Sequence, residues 1–528
     1  NVITKCGDVY PILKGDAYRL LAYIASWVGN VENALKYYFT AHRLFEEVDY
    51  IRGILVCLNN LGTIYTDIYQ DEDKALGYYN KVKELSEEYN AEKFTIIALI
   101  NIACIYEVQY KHDLANIHFR ESLEKAKKSI FEREVFFLNN MLIKNYLNLT
   151  LYSEAYNHHK LTQEMIDQFP NRGLEIIEFY KASGDLYYTF GDFEKAGKFY
   201  TKAVNFLETG IDFEQFFYII QNYVINIRLN EEKNYKSDIP AIIETARKFI
   251  SKETKITALC NAAIALGHKK DYASASLILS EIELPLPESL PDYTLESYYL
   301  ARGLNENGEN RLNFLLKAFN IAKRLKSKNL LIETAPLIGD YYISVKDIYR
   351  AADYYLEVWE ILKNVLEDLP QEYKLPYLNS YKNSRVYYQL KYIFSLIVKD
   401  DANKTAPPQN NIRSMEELTR VLKHDLIGEF RANKDFMDAI GKQYMLDFLG
   451  KYQNLNDVIS EISNDTLSSI KAILNYLAAA TMATNGQVII SEAKNELKVI
   501  GAINKNSSAP ADNMAFEKMK KTLQPFYI

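Results

Sequence analysis

The chain has 528 residues, more than one hydrophobic core ordinarily supports, so several domains or an elongated repeat array are expected. With 48% apolar and 25% charged residues and a net charge of −7, the composition is that of an ordinary globular protein and gives no bulk electrostatic case for nucleic acid. Its 20 Gly and 13 Pro are few for this length, which argues against a sandwich or a disordered linker and for long helices.

The 42 tyrosines suit helix pairs that are each half exposed, because the ring is buried while the hydroxyl stays wet or bonded. Cys6, Cys57, Cys104 and Cys260 lie far apart, without a CxxC pair or close framework, so neither a metal site nor a disulfide scaffold is expected, and a reducing cytoplasm fits. Neither a signal peptide nor a membrane-length apolar run is evident. The first residue is Asn1 rather than methionine, as expected of a fragment.

From the N-terminus a pattern recurs, a polar turn followed by an alanine in the first turn of a helix. It appears as GNVENA ending at Ala34, QDEDKA at Ala75, KHDLA at Ala115, LYSEA at Ala155, GDFEKA at Ala196, KDYASA at Ala275 and KDIYRA at Ala351. The first four intervals are 41, 40, 40 and 41 residues, and the later gaps of 79 and 76 each leave room for one degenerate unit, near Asn234–Ala241 and Asn310–Ala318. About nine units of about 40 residues are therefore expected.

The fourth residue after the alanine is large in Tyr38, Tyr79, Phe119, His159, Tyr200, Leu279 and Tyr355, and the seventh is smaller or aliphatic, as in Ala41, Val82 and Ala203. Spacings of four and seven share one helical face. About twelve residues upstream lies another slot, filled by Ala22, Gly62, Ala103, Ile143, Gly184, Ala263 and Gly339, which marks the first helix of each pair. Asp192, Asp271 and Asp347 stand where a side chain can accept from free N–H groups of the second helix. The best-kept unit is Ala182–Ala203.

These features, over about residues 10 to 370, resemble the tetratricopeptide repeat. The expected fold is mainly α, an α-solenoid of helical hairpins. The period exceeds the usual 34 and the family's proline is absent, departures typical of arrays in large bacterial regulators. HEAT repeats share the period but fit the Gly-Asp turn and alanine slots less well. In a tetratricopeptide superhelix the residues three before and one after the small slot of each first helix face the concave groove. The resemblance thereby implies a partner-binding set of Asn59 and Thr63, Asn140 and Lys144, and Lys181 and Asp185, whose Asn and Lys side chains suit a peptide backbone or carboxylate. The bland alternative for each pair is a solvated face.

Leu284–Pro291, LPLPESLP, interrupts the array, since proline cannot continue a helix. Residues 376–399 are expected to form one long helix, with a stripe of Tyr377, Tyr381, Tyr388 and Tyr392 capping a repeat domain that spans 1–399. A linker follows at 400–412, then a connector helix at 413–453 begun by Ser414 as N-cap. In 454–528 the period changes. Helix Leu455–Ala483 ends at Asn485-Gly486, and QVIISEA and ELKVIGAI, residues 487–493 and 496–503, read as a β-hairpin. The entering helix Ile470–Ala483, the Asn485-Gly486 turn and the two strands resemble the opening of a GAF domain, implying a partial α/β sensory module.

No phosphate-binding glycine loop, GxSxG or HExxH occurs. His158 and His159, adjacent on a helix, point about 100° apart and read as packing rather than metal ligands. His424-Asp425-Leu426 resembles the phospho-accepting box of sensor histidine kinases, but Gly428 and Glu429 stand where that family has Arg and Pro.

The resemblances together imply a non-catalytic protein- or peptide-binding scaffold or sensor segment of a cytoplasmic bacterial signal-transduction regulator, relaying groove binding to a C-terminal module. Neither cofactor nor metal is expected, nor nucleic acid or membrane as partner, and 413–483 offers a surface for a homodimer. The alternatives are a stand-alone adaptor or peptide-pheromone receptor, and an enzyme with a site hidden in 413–528.

Overall fold

The computed structural model describes residues 10–168, 174–207, 215–229, 234–249, 251–287, 290–380, 383–398, 412–441, 486–491 and 497–503. The chain divides into two compact units, one of residues 1–344, 354–389 and 407–423, the other of 345–353, 390–406 and 424–528.

In the first unit helices alternate along the chain: α1 (Pro11–Trp27), α2 (Val31–Glu46), α3 (Ile51–Asp67), α4 (Glu72–Glu88), α5 (Glu92–Val108), α6 (His112–Lys128), α7 (Glu132–Leu149), α8 (Tyr152–Gln168), α9 (Leu174–Thr189), α10 (Phe193–Leu207), α11 (Gln215–Leu229), α12 (Asp238–Ala246), α13 (Lys252–His268), α14 (Tyr272–Leu279), α15 (Asp292–Asn305), α16 (Gly308–Arg324) and α17 (Lys328–Ser344). Helix α18 (Ile348–Asp368) begins in the second unit and continues in the first. Paired in order, these make nine helical hairpins among the described residues, a tetratricopeptide-like α-solenoid. The two degenerate units are α11–α12 and α15–α16, and the Pro-rich 284–291 stretch separates α14 from α15.

Steric fit explains the repeat. Ala34, Ala75, Ala115, Ala155, Ala196, Ala275 and Ala351 are completely buried, so the slot has no space for a larger side chain. The aromatic residue one turn later lies on the small residue of the first helix. A Cβ added at Gly62 would stand 2.6 Å from the Tyr79 ring, at Gly184 2.2 Å from Tyr200, and at Gly339 2.9 Å from Tyr355. The tyrosine hydroxyl then reaches the residue after that glycine, lying 3.3 Å from Thr63 Oγ1 and donating to Asp185 at 2.7 Å and to Asp340 at 2.5 Å. A buried ring thus comes with its polar atom satisfied.

The turns follow one recipe. A residue at positive φ (Gly29, Gln70, Tyr110, Thr150, Gly191, Lys270 or Lys346) ends the first helix, and in five of these turns the next N–H bonds back five residues, as Asp192 does to the Tyr187 carbonyl at 2.9 Å. That is a left-handed C-terminal cap. Asn30, Asp71, Asp192, Asp271 and Asp347 accept the N–H three residues on, which satisfies a free donor at the start of the second helix. Only two of these seven turns carry glycine, so the cap residue rather than glycine is the recurring element.

Beyond α18, two expectations change. In place of one helix over 376–399 there are α19 (Lys374–Ser380) and α20 (Ser384–Ile397). Asn383 and Ser384, both buried, are better cap formers than helix formers, and the Asn383 carbonyl accepts Val386 N–H at 3.1 Å. In place of one connector helix over 413–453 there are α21 (Met415–Lys423), α22 (Leu426–Ala432) and a further helical stretch at 434–441. Asp425 and Asn433 divide them, accepting Gly428 N–H at 3.1 Å and Phe436 N–H at 2.9 Å. Ser414 caps α21 through Glu417 N–H at 3.1 Å. Within the first unit Ile412 is fully buried, Asn379 Nδ2 donates to its carbonyl at 3.1 Å, and the Tyr388 hydroxyl donates to Glu417 at 2.7 Å, so 412–423 packs on the end of the array.

In the second unit Phe430 is buried with Phe394 and Phe436 rings 4.9 and 5.0 Å away. Strands β1 (Gly486–Ser491) and β2 (Leu497–Ile503) pair antiparallel, with Gly486 opposite Ile503, Ser491 opposite Leu497 and an irregularity at Val488–Ile489. The helix Ile470–Ala483, on which the GAF resemblance also rests, and most of 442–528 lie outside the described residues, as do Tyr381, Cys6 and residues 399–411.

Candidate functional site

The first helices of successive hairpins place the six expected groove residues on α3, α7 and α9, and each has contacts inside the protein. Asn59 Oδ1 accepts from Asn101 Nδ2 at 2.9 Å, and Thr63 Oγ1 donates to the Asn59 carbonyl at 3.2 Å. Asn140 is buried and donates weakly to the Glu175 carbonyl at 3.4 Å, while its Oδ1 has no partner. Lys181 is buried, with Nζ 2.9 Å from Glu178 and 5.2 Å from the centre of the Tyr218 ring. Asp185 accepts the Tyr200 hydroxyl, and burial raises its carboxyl above the ordinary range.

Lys144 joins these positions electrostatically, acting on both Asp185 and Glu107. Burial pushes Glu107 up to about 7, against the opposing pull of Lys144 and a hydrogen bond from Asn145. Glu107, Lys144 and Asp185 therefore form a charge cluster across α5, α7 and α9. It does not include Asn59 or Thr63.

A second feature was not expected. The array winds back on itself within the first unit, bringing the α7–α10 region against α15 to α19. The Tyr152 hydroxyl donates to Asn329 Oδ1 at 2.6 Å, and Asn329 Nδ2 donates to the Leu147 carbonyl at 3.0 Å. Ser153 N–H reaches Asp368 at 3.1 Å, the Tyr156 hydroxyl reaches Glu372 at 2.6 Å, and Lys195 Nζ reaches the Tyr373 hydroxyl at 3.1 Å. The Phe190 and Tyr373 rings stack 4.9 Å apart at a tilt of 40°.

This seam borders a partly open cavity of about 320 Å³. Its wall is aromatic at Tyr152, Tyr188 and Tyr377, aliphatic at Ile264, Leu300 and Leu337, and polar at Gln221, Arg228, His268, Glu296, Glu333 and Arg385. Gln221, Leu300 and Pro336 stand three residues before Val224, Gly303 and Gly339, and Ile264 follows Ala263. The spacing rule that named Asn140 and Lys144, carried into later units, finds these positions. It does not find Arg228, His268, Glu296 or Glu333, which reach the cavity because the superhelix closes.

The charges there are unevenly matched. Arg385 Nη1 lies 2.7 Å from Asp340. Arg228 lies 5.8 and 5.7 Å from the ring centres of Tyr188 and Phe193. His268 Nε2 is 3.9 Å from Glu333 Oε1. Burial lowers His268 below its ordinary range, whereas the pull of His268 and Arg228 outweighs burial at Glu333 and keeps that carboxyl low. Glu296 is raised well above the usual carboxylate range, first by burial and then by the Glu333 charge. Pro336 has no N–H for the Ile332 carbonyl one turn earlier, and both residues border the cavity.

His158 and His159 serve packing. His159 lies between Ser183 Oγ and the Tyr187 hydroxyl, each at 3.1 Å, and stacks on Phe179. No group of His, Cys, Asp or Glu among the described residues could hold a metal, and no helix among them is long and apolar enough to cross a membrane. His424 directly precedes the Asp425 cap and contacts Glu429 at 3.0 Å.

The sequence matches no protein-family model and no curated protein. Among solved structures it is similar to yeast Tom70, with 11% identity over 81% of this chain and 98% of that one and a TM-score of 0.30. The TPR domain of P58(IPK) follows with 14% identity over 70% and 98%, TM-score 0.19. A circular tandem repeat protein has 13% identity over 81% and 91%, TM-score 0.12. These scores are too low to carry the functional argument, which rests on geometry.

Proposed function

We propose that this chain is a non-catalytic scaffold that binds a protein or peptide along the inner face formed by the first helices of its hairpins. The observation that carries this reading is a pair of buried amides with unmet oxygens on one of those helices, Asn140 Oδ1 and Asn145 Oδ1 on α7. Buried polar atoms are almost always satisfied. Side-chain amides spaced along a groove suit the alternating N–H and C=O groups of an extended peptide, and Lys144 supplies a charge for a carboxylate. On this reading Asn59, Thr63, Asn140, Lys144, Lys181 and Asp185 are the contact set.

The test is affinity capture from host extract with the whole chain as bait, followed by titration of each captured protein or its peptides. Asn140→Ala and Lys144→Ala should weaken binding by roughly tenfold each, the cost of one charge-assisted or buried hydrogen bond. Partners that bind both variants like the wild type would sink the reading.

The wider context belongs to the same proposal. A cytoplasmic bacterial signalling regulator would pass groove occupancy on through a homodimer formed by 413–483 to a GAF-like module in 454–528. Sedimentation of the chain tests the dimer, and a monomer at micromolar concentration would remove that step. A stand-alone adaptor or peptide-pheromone receptor is the second reading, and the cavity beside the seam favours the receptor.

A further inference from the structure

Glu296 is 1% exposed, borders the cavity and has no partner for Oε1. Gln221, 5% exposed, borders the same cavity from α11 and has no partner for Nε2. Glu296 takes a hydrogen bond from Ser297 but leaves Oε1 unmet, and the amide of Gln221 has no acceptor at Nε2. Neighbouring cations do not fill the first need: Arg385 is paired with Asp340, His268 stands beside Glu333, and the Arg228 guanidinium lies near the rings of Tyr188 and Phe193. Glu333 adds a second carboxylate on the same wall. An amine entering in its neutral form would take the proton that burial holds on Glu296 and become an ammonium paired with that carboxylate, with the Glu333 carboxylate beside it.

The remaining wall fits that chemistry. Tyr152 and Tyr377 make part of the wall aromatic, and aromatic rings attract an ammonium through their quadrupole. A volume of about 320 Å³ is at the lower end of the roughly 300–1,000 Å³ range of small-molecule sites, too small for a folded element. The amide of Gln221 asks for an oxygen acceptor on the same ligand.

We infer that the cavity binds a small primary amine carrying a carbonyl, carboxyl or hydroxyl oxygen, of free amino acid type, with its ammonium between Glu296 and Glu333 and its oxygen at Gln221 Nε2. This site is separate from the peptide-binding set on α3, α7 and α9, and its ligand does not depend on that reading.

The whole chain is screened by thermal shift against free amino acids, their amides and small amino alcohols, with size-matched sugars and carboxylic acids alongside, and hits are titrated by calorimetry. The expected result is one-to-one binding of at least one amine. Glu296→Gln, which keeps the shape but has no proton to give the amine, should weaken it by roughly tenfold to a hundredfold, and Gln221→Ala by roughly tenfold. If Glu296→Gln lacks native circular dichroism, Glu296→Asp takes its place and should still lose at least roughly tenfold. Failure of every amine to bind overturns the inference, as does a sugar or carboxylic acid binding instead, or an amine that binds the Glu296 variants like the wild type. Host-protein capture on the inner face is a separate measurement, so either reading can fail alone.

Discussion

Gly184→Ala should destabilise the array even though alanine is the better helix former. The glycine lies in α9, and a Cβ there would stand 2.2 and 2.3 Å from two carbons of the Tyr200 ring. That ring is 2% exposed and anchored through its hydroxyl to Asp185 at 2.7 Å, so it cannot swing aside without breaking the bond. Overpacking costs about 1–3 kcal/mol, and losing the bond to a buried carboxyl costs about 1.5–3 kcal/mol more. Helix propensity returns about 0.5–1 kcal/mol. The net loss expected is about 1.5–5.5 kcal/mol. Gly77→Ala, exposed in α4 with nothing within 4 Å of the new methyl, is the control and should gain about 0.5–1 kcal/mol. Urea unfolding followed at 222 nm, with hydrogen exchange to localise the effect to α9 and α10, measures both. A Gly184→Ala protein as stable as Gly77→Ala would refute the glycine-on-tyrosine account of the repeat.

Asn329→Ala removes both hydrogen bonds that tie α17 to Tyr152 and Leu147. It should cost about 1–3 kcal/mol and raise exchange at the amides of 147–156, and unchanged protection there would mean the seam is held by other contacts. His159, buried and held down to about 4 chiefly by burial, takes up a proton in the unfolded chain at about 6.5. Stability is therefore fully present above about pH 6.5 and falls by about 3 kcal/mol as pH drops towards 4. His159→Phe, copying Phe119 of the preceding hairpin, should remove that share of the slope and leave the like share of His158, which burial also holds down to about 4, at a neutral-pH cost of about 1–3 kcal/mol for the stranded Ser183 and Tyr187 hydroxyls. Urea midpoints across that window check it. Glu107 runs the other way, since a carboxyl raised to about 7 contributes stability below its unfolded value of about 4.3 that is lost as pH rises through 7. Glu107→Gln should gain on the wild type between pH 5 and about 8, and parallel pH profiles would show that Glu107 stays solvated.

Much of the fold was legible because its rules are local. The alanine slots, the large residue four positions on and the Asp caps act within about one helical hairpin, so hairpins and turns could be read from spacing, including the two degenerate ones. The helix breaks at Asn383, Asp425 and Asn433 are not legible from periodicity, because the amphipathic stripe runs on through the cap-forming side chains. The kinase-box resemblance of His424 meets the same break.

For the site, sequence spacing gave positions one helix at a time. It could place Asn140 and Lys144 on one face of α7, and Lys181 and Asp185 on one face of α9, but it could not show that Asp185 is held by Tyr200 or that Glu107 leans on Lys144. Periodicity determined that this chain is a helical array, because an apolar stripe and a small slot every 40 residues or so specify which helices can touch. Only the tertiary structure decided that the array closes. Closure depends on the summed rotation between successive hairpins, which no single repeat encodes, and it brings Tyr152 to Asn329 across 177 residues of chain and walls Glu296 into a cavity.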